Sequence, residues 1–226
     1  MKKVLITGAT SGIGLAISKK MLDMGYSVYG VGRDFSKIDI ASSNFYPIVC
    51  DLIKYQNIED MIKKLKKEVD IDILINCAGV GYFGPHEEIN PTKLHKMIAL
   101  NLEAPLILTQ LLLRDLKKRK GTVINISSIT ATKASTYGCA YSATKAGLVH
   151  FSKGLFDEVR KTGVKVISIL PDITKTPFYD ELNFREGEEE ESYILPECVA
   201  DAVENILSQS NYSYSSSPFI STCYTF

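Results

Sequence analysis

The chain has 226 residues, 45% of them hydrophobic and 23% charged, and its 26 basic and 26 acidic side chains cancel. This composition is typical of one globular domain spanning 1–226, and it excludes a disordered chain. Because no net charge attracts nucleic acid or an anionic membrane, we expect neither as a partner.

The apolar stretches of the chain are short. The N-terminal run ends at Thr7, which is too early for the core of a signal peptide. No other stretch approaches the roughly twenty apolar residues that a membrane helix needs. We therefore expect a cytoplasmic protein.

Short β-branched runs alternate along the chain with longer segments of helical periodicity. The predicted strands are Val4 to Thr7, Ser27 to Val31, Tyr46 to Cys50, Ile71 to Asn76, Thr122 to Ile126 and Val164 to Leu170. The predicted helices run from Gly12 to Met24, Ile58 to Glu68, Pro91 to Lys118, Tyr141 to Lys161 and Pro196 to Ser208. Such alternation predicts βαβ units in a doubly wound parallel sheet, a Rossmann-like, three-layer α/β fold in a single domain.

Three segments interrupt the alternation: 79–90, 172–195 and 210–226. Long loops inside a compact domain are usually functional or disordered. We interpret 172–195 as a lid over a substrate site. The polar residues of 210–226 predict a poorly ordered tail, in which Phe219 to Tyr224 is a candidate edge strand.

A glycine-rich turn, TGATSGIG at 7–14, joins the first predicted strand to the first predicted helix. Glycine permits a tight turn and the close approach of a pyrophosphate, and the N-terminus of a helix favours negative charge. The turn therefore predicts a dinucleotide site, with a purely structural turn as the alternative. The predicted contacts are Gly8, Thr10, Ser11, Gly12, Ile13 and Gly14.

The end of the second predicted strand favours NADP(H) over NAD(H). A carboxylate at this position binds the ribose 2′-hydroxyl of NAD, whereas a cation accommodates the 2′-phosphate of NADP. Here Gly32 supplies no acid and Arg33 supplies a guanidinium, which can hold a phosphate with two hydrogen bonds. The alternative is that Arg33 is a surface cation neutralised by Asp34.

A serine, a tyrosine and a lysine form a candidate catalytic set. Ser128 follows the fifth predicted strand, and Tyr141 and Lys145 are four residues apart, so they share one face of a helix. A neighbouring ammonium favours the phenolate form of a tyrosine and so promotes proton transfer. The Tyr-x-x-x-Lys pair is weak evidence by itself, because any helix can carry it.

Together these motifs resemble the short-chain dehydrogenase/reductase family from Met1 to about Leu207. The resemblance implies an NADP(H)-dependent oxidoreductase that interconverts a carbonyl and a secondary alcohol. In that family the residue matching Tyr141 transfers the proton, the one matching Ser128 donates a hydrogen bond to the carbonyl oxygen, and the one matching Lys145 binds the nicotinamide ribose. Asn101 matches an asparagine that supports a water-mediated proton relay; otherwise it is a polar residue that kinks a long helix.

The resemblance also implies further cofactor contacts. The sequence NCAG at 76–79 resembles the family's Asn-Asn-Ala-Gly, with Cys77 in place of the second asparagine. The sequence PDITKT at 171–176 resembles Pro-Gly-x-x-x-Thr, with Asp172 in place of the glycine. The implied contacts are Asp51, Leu52, Asn76, Ala78, Gly79, Tyr141, Lys145, Ile173 and Thr176.

The sequence indicates the substrate and the partners less closely than it indicates the cofactor. Aromatic residues in 81–84 and in the lid favour an apolar or aromatic carbonyl or alcohol, unless they only pack the lid. The family resemblance implies a homodimer or homotetramer through the long helices. The three histidines lack the spacing of metal ligands, so we expect no metal.

Two other functions compete with the oxidoreductase. An NADP(H)-sensing regulator without turnover predicts a damaged catalytic set, and the Ser-Tyr-Lys set is intact. A sugar-nucleotide epimerase carries the same Tyr-x-x-x-Lys pair, but it needs a larger substrate domain and a differently spaced glycine turn.

Overall fold

The computed structural model describes residues 1–179, 193–208 and 219–222. The strands are β1 (Lys3–Thr7), β2 (Ser27–Gly32), β3 (Phe45–Val49), β4 (Ile73–Asn76), β5 (Thr122–Ile126), β6 (Lys165–Pro171) and β7 (Phe219–Thr222). The α-helices are α1 (Gly12–Asp23), α2 (Tyr55–Glu68), α3 (Pro91–Ile98), α4 (Ala104–Arg119), α5 (Cys139–Val159) and α6 (Pro196–Ser208).

The strands form one sheet in the order β3-β2-β1-β4-β5-β6-β7. Every pair is parallel, and β1 lies between β2 and β4, with Val4 opposite both Val28 and Ile73. After β3 the chain therefore returns to the other side of β1. In open α/β sheets this reversal opens a crevice at the carboxyl ends of the two central strands.

Alternate residues of each strand enter two hydrophobic cores, one on either side of the sheet. On one side Leu5 and Leu74 pack with apolar residues of α2, α4 and α5. On the other, Val4, Ile6 and Ile75 pack with apolar residues of α1 and α6. Burial on both faces requires strands that are apolar at successive positions, as these are. The predicted α/β fold is confirmed.

The predicted elements differ from the observed ones mainly at their ends. The largest internal difference is in the helix predicted from Pro91 to Lys118, where a π-helical turn at Ala99–Glu103 separates α3 from α4. A π-helical hydrogen bond spans one more residue than an α-helical one, so the backbone is wider there. The wider turn has room for a buried polar side chain. That position holds Asn101, which has no exposed surface.

The two ends of the predicted lid are joined to each other. The Lys175 N–H donates to the Ile194 carbonyl at 2.9 Å, and the Ile194 N–H donates to the Ile173 carbonyl at 2.8 Å. The lid residues 180–192 lie outside the described residues. In the tail, β7 pairs in parallel with β6 at the place of the candidate edge strand; 210–218 and 223–226 lie outside the described residues.

One helical stretch bears on the expectation about membrane spans. Among the described residues, Pro91–Arg119 is long and apolar enough to cross a membrane by length and composition alone. Leu108, Leu112 and Leu116, spaced by four, are buried in the core beside the sheet. Core packing therefore accounts for part of the apolar character of this helix.

Two helical glycines provide a matched test of packing. A Cβ added at Gly14 would lie 2.2 Å from the Gly8 carbonyl oxygen, whereas a Cβ at Gly154 would have no atom within 4 Å. We expect Gly14→Ala to lower the free energy of unfolding by about 1–3 kcal/mol through overpacking. Gly154→Ala should raise it by about 1 kcal/mol, because alanine favours a helix interior. Urea denaturation of both variants checks the opposite signs, and destabilisation of both would contradict this packing.

Candidate functional site

A cleft of 610 Å³ opens at the carboxyl ends of β1, β4, β5 and β6. This is the crevice that the reversal in strand order predicts. Twelve of the residues predicted from the sequence line it: Gly8, Ser11, Gly12, Ile13, Gly14, Arg33, Ala78, Gly79, Ser128, Tyr141, Lys145 and Thr176.

The glycine-rich turn packs directly against the chain that leaves β4. The Thr7 Oγ1 accepts hydrogen bonds from the N–H groups of Cys77 and Ala78, both at 3.0 Å. Gly8 has a φ of 70° and comes so close to β4 that a Cβ would lie 2.9 Å from the Ala78 Cα. Only glycine meets both conditions without strain.

The same turn leaves room for a phosphate-bearing ligand. Gly12 has a φ of 50°, and a Cβ there would lie 3.0 Å from the Thr176 methyl group on the facing wall of the cleft. The N-cap of α1, Ser11, makes no side-chain capping hydrogen bond, and the first turn of this fully described helix carries no acid. Its free N–H groups and dipole therefore suit a pyrophosphate, so the residues present fit a bound dinucleotide.

The end of β2 leaves no space for an acidic side chain. A Cβ at Gly32 would lie 2.2 Å from the Thr10 methyl group, so Thr10 fills the place that a carboxylate would take. Thr10 itself does not line the cleft, whereas Arg33 does. Asp34 accepts hydrogen bonds from the Ser36 backbone and hydroxyl. Within the described ranges Arg33 forms no ion pair, so its charge faces the cleft without a protein counter-ion.

Ser128 and Tyr141 lie at the base of the cleft, and each is 9% exposed. The Ser128 Oγ accepts hydrogen bonds from the Thr130 N–H at 3.2 Å and from the Thr130 hydroxyl at 3.1 Å. A serine hydroxyl has two acceptor positions and one donor proton. With both acceptor positions filled, the remaining capacity of Ser128 is to donate.

Lys145 is a buried cation beside the tyrosine. Its Nζ donates to the Ile126 carbonyl at 3.0 Å and lies 5.8 Å from the centre of the Tyr141 ring. Burial lowers the pKa of Lys145 to about 8, because a desolvated ammonium is less stable. Burial also raises the pKa of the neighbouring Cys77 thiol to about 12, so that thiol stays neutral near pH 7.

Hydrogen bonds from two residues hold helix α5, which carries Tyr141 and Lys145, against the cleft. The Ser127 hydroxyl donates to the Lys145 carbonyl at 3.0 Å. Asn101 bonds both backbone groups of Val80 at 2.8 Å, and its amide also donates to the Thr144 hydroxyl at 3.1 Å. In this arrangement Asn101 does not line the cleft. It fixes the loop after β4 against α5.

Four other predicted contacts do not line the cleft. The Asp51 carboxylate accepts from the Ile53 N–H at 3.1 Å, which is the turn-capping arrangement of an aspartate after a strand. Leu52 is buried in the core beneath α2. Asn76 is buried at 2% exposure and donates to Asn125 on β5 at 2.8 Å. Ile173 lies at the base of the lid, where its carbonyl accepts from Ile194.

Aromatic side chains surround the predicted proton donor. The ring centres of Phe83 and Phe178 lie 5.2 and 5.9 Å from that of Tyr141. Gly81 permits this packing, because a Cβ there would lie 2.5 Å from Phe83 and 2.6 Å from Phe178. Phe184, another aromatic residue of the predicted lid, lies outside the described residues.

The structure adds cleft residues that the sequence did not indicate, among them Val80, Lys93 and Ser127. Ser127 directly precedes Ser128, and this position in the same motif is the sequence feature that could have indicated a cleft residue. Lys93 is an ordinary helical lysine in the sequence, with no motif around it. Only the packing of α3 beside the loop after β4 brings it to the cleft.

The buried lysine predicts a dependence of stability on pH. Below pH 8 both the folded and the unfolded chain hold the proton, so the burial penalty is fully present. As pH rises from about 8 to about 10 the folded state loses the proton first, so the free energy of unfolding rises with pH.

We expect the wild type to gain up to about 3 kcal/mol relative to Lys145→Met over this range. Chemical denaturation at pH 7, 8, 9 and 10 checks this gain. Cys77 titrates in both proteins, so the difference between them isolates Lys145. A difference that stays constant with pH would contradict a buried, titrating lysine.

Comparisons with known proteins identify the family of the chain. Residues 2–187 match the family described as short chain dehydrogenase. An uncharacterised oxidoreductase of Staphylococcus epidermidis is 33% identical over 217 residues, which cover 93% of each chain.

Solved structures extend the comparison to ligand-bound proteins. An alcohol dehydrogenase of the archaeon Thermococcus sibiricus, complexed with 5-hydroxy-NADP, superposes with a TM-score of 0.86 at 25% identity, covering 98% of this chain and 95% of that one. A 4-hydroxyisoleucine dehydrogenase complexed with NADH gives a TM-score of 0.80 at 26% identity, covering 92% of each chain. By the match to its sequence and to its fold, the chain belongs to the short-chain dehydrogenase family of oxidoreductases, whose members use a nicotinamide cofactor.

Proposed function

We propose that this protein transfers a hydride between NADP(H) and a small carbonyl compound or secondary alcohol, with Tyr141 as the general acid and base. The observation that carries the proposal is the meeting of Ser128, Tyr141 and Lys145 in one cleft with the glycine-rich turn. These groups come from β5, α5 and the β1–α1 turn. Because no single local motif could produce that arrangement, it supports a catalytic site.

In reduction, Ser128 donates a hydrogen bond to the carbonyl oxygen and so stabilises the negative charge that develops there. Its acceptor positions are filled by Thr130, which leaves the hydroxyl proton available to donate. Tyr141 donates its phenolic proton to the same oxygen. The Lys145 ammonium, held beside the Tyr141 ring, stabilises the phenolate that remains.

The bound dinucleotide supplies the hydride. We propose that the turn from Gly8 to Gly14 holds its pyrophosphate and that Arg33 binds the 2′-phosphate. Ala78, Gly79 and Thr176 line the same cleft as Tyr141, which supports their assignment to the nicotinamide half. Asp51 and Leu52 remain proposed for the adenine, although neither lines the cleft in this structure.

We further propose that the protein is a cytoplasmic homodimer or homotetramer. Half-buried apolar side chains remain on the outer faces of two long helices, Ile107 and Leu111 on α4 and Phe151 and Phe156 on α5. Burial of such rows against a second copy removes more apolar surface from water.

The proton-transfer role of Tyr141 is tested by Tyr141→Phe, which keeps the ring and removes the hydroxyl. We expect kcat for NADPH oxidation across a panel of ketones and aldehydes to fall by about 10²-fold or more, the range for loss of a general acid. Tyr137→Phe is the matched control, since that tyrosine lies just before α5 and is 61% exposed. Unchanged turnover in Tyr141→Phe would contradict the mechanism.

The role of Arg33 in cofactor choice is tested by Arg33→Gln. Loss of charge-assisted hydrogen bonds to a phosphate, about 1.5–3 kcal/mol, should lower kcat/KM for NADPH by about tenfold or more. The value for NADH, which has no 2′-phosphate, should change much less. Lys37→Gln removes a nearby surface cation as control. An equal loss with both cofactors would show that Arg33 does not read the 2′-phosphate.

A further inference from the structure

One part of the cleft wall is aromatic and consists of residues that are not predicted cofactor contacts. It includes Tyr82 and Phe178, and Lys93 lies over the Tyr82 ring. Tyr82 and Phe178 pack in the same apolar cluster as Tyr141, so this aromatic end lies beside the predicted proton donor. Because we assign the Gly8–Gly14 turn to the cofactor, we assign the aromatic end to the reacting substrate.

Lys93 presents a positive charge to this end of the cleft. Its Nζ lies 5.3 Å from the centre of the Tyr82 ring, and its backbone N–H is held by the Asn90 side chain at 2.9 Å. Within the described part of the chain Lys93 forms no ion pair, in contrast to Lys20 and Lys66. Its ammonium is therefore positioned beside an aromatic face and has no counter-ion among the described residues.

The other charges on the cleft wall have different positions or partners. Arg33 lies at the end of β2, on the side of the glycine-rich turn, and Lys145 is buried on the Ile126 carbonyl. Asp172 accepts a hydrogen bond from the Ile173 N–H at 2.8 Å, at the base of the lid. Among the described lining residues, Lys93 is the cation that a substrate at the aromatic end would meet.

We propose that Lys93 binds an anionic group of the substrate, so that the preferred substrates are oxo acids and the corresponding hydroxy acids. Their reacting carbon lies at Tyr141, their apolar segment lies between Tyr82 and Phe178, and their carboxylate lies at Lys93. This inference rests on the proposed oxidoreductase function and adds a substrate class and a specificity residue to it.

Lys93 is exposed, and the Tyr82 ring distinguishes it from other surface lysines. The ring face lies 5.3 Å from the Nζ and limits the access of water on that side of the ammonium. A cation over an aromatic face also loses less freedom when it binds an anion, because its position is already restricted. A carboxylate in the cleft gains from both effects, whereas a neutral ester of the same shape does not.

The experiment compares straight-chain oxo acids with their methyl esters, with the carbonyl at position 3, 4 or 5 and NADPH as reductant. We expect the wild type to prefer at least one acid over its ester in kcat/KM. Lys93→Gln should lower that acid-to-ester ratio by about fivefold, and Lys93→Arg should largely preserve it. Lys96→Gln, which neutralises an exposed lysine of the same helix that does not line the cleft, should leave the ratio unchanged.

Any other outcome overturns the inference, and the result shows whether the role of Lys93 or the proposed oxidoreductase function has failed. A wild type that reduces acids and esters equally, or a Lys93→Gln variant that keeps the wild-type ratio, refutes the role of Lys93 and leaves the oxidoreductase function standing. A wild type that reduces no acid, ester or neutral ketone of the panel refutes the proposed function itself. Higher ionic strength should also lower the ratio in the wild type, and a ratio insensitive to salt counts against charge pairing.

Discussion

The close packing of the glycine-rich turn on the end of β4 is the constraint on which the site depends. Thr7 accepts two backbone hydrogen bonds from the chain after β4, and Gly8 approaches that chain more closely than any side chain would permit. This contact joins the two central strands at the point where the strand order reverses. The N-terminus of α1 and the loop after β4 thereby become facing walls of one cleft.

Buried polar groups connect this arrangement across the sheet to helix α5, which carries Tyr141 and Lys145. Asn125 on β5 accepts from Asn76 and donates to Ser152 on α5, both at 2.8 Å. Ser127 and Asn101 attach the first turns of α5 to the sheet and to the loop after β4. Paired hydrogen bonds in an apolar interior are directional, so they fix the rotation and height of α5 more narrowly than apolar packing does. The positions of Tyr141 and Lys145 follow from that fixed helix.

The electrostatic character of the cleft depends on which charged side chains line it and how deeply they are buried, as much as on the net charge of the chain. The chain is neutral overall, yet among the described residues Arg33, Lys93 and Lys145 reach the cleft wall, against the single acid Asp172. Burial lowers the pKa of Lys145 to about 8, which leaves the ammonium form accessible near neutral pH and close to losing its proton. A cleft of this kind favours anionic ligands even though the protein as a whole has no net charge.

Periodicity within short stretches of the chain predicted the α/β fold and the glycine-rich turn, and the resemblance to a known family predicted that Ser128, Tyr141 and Lys145 act together. The tertiary structure alone decided which distant residues meet, such as Gly12 with Thr176 and Tyr82 with Lys93. It also decided that Asn76 and Asn101 bond within the protein and that Lys145 is buried. A parallel sheet brings together strand ends that are far apart in the chain, so contacts between them depend on strand order and helix packing, which local sequence patterns do not record.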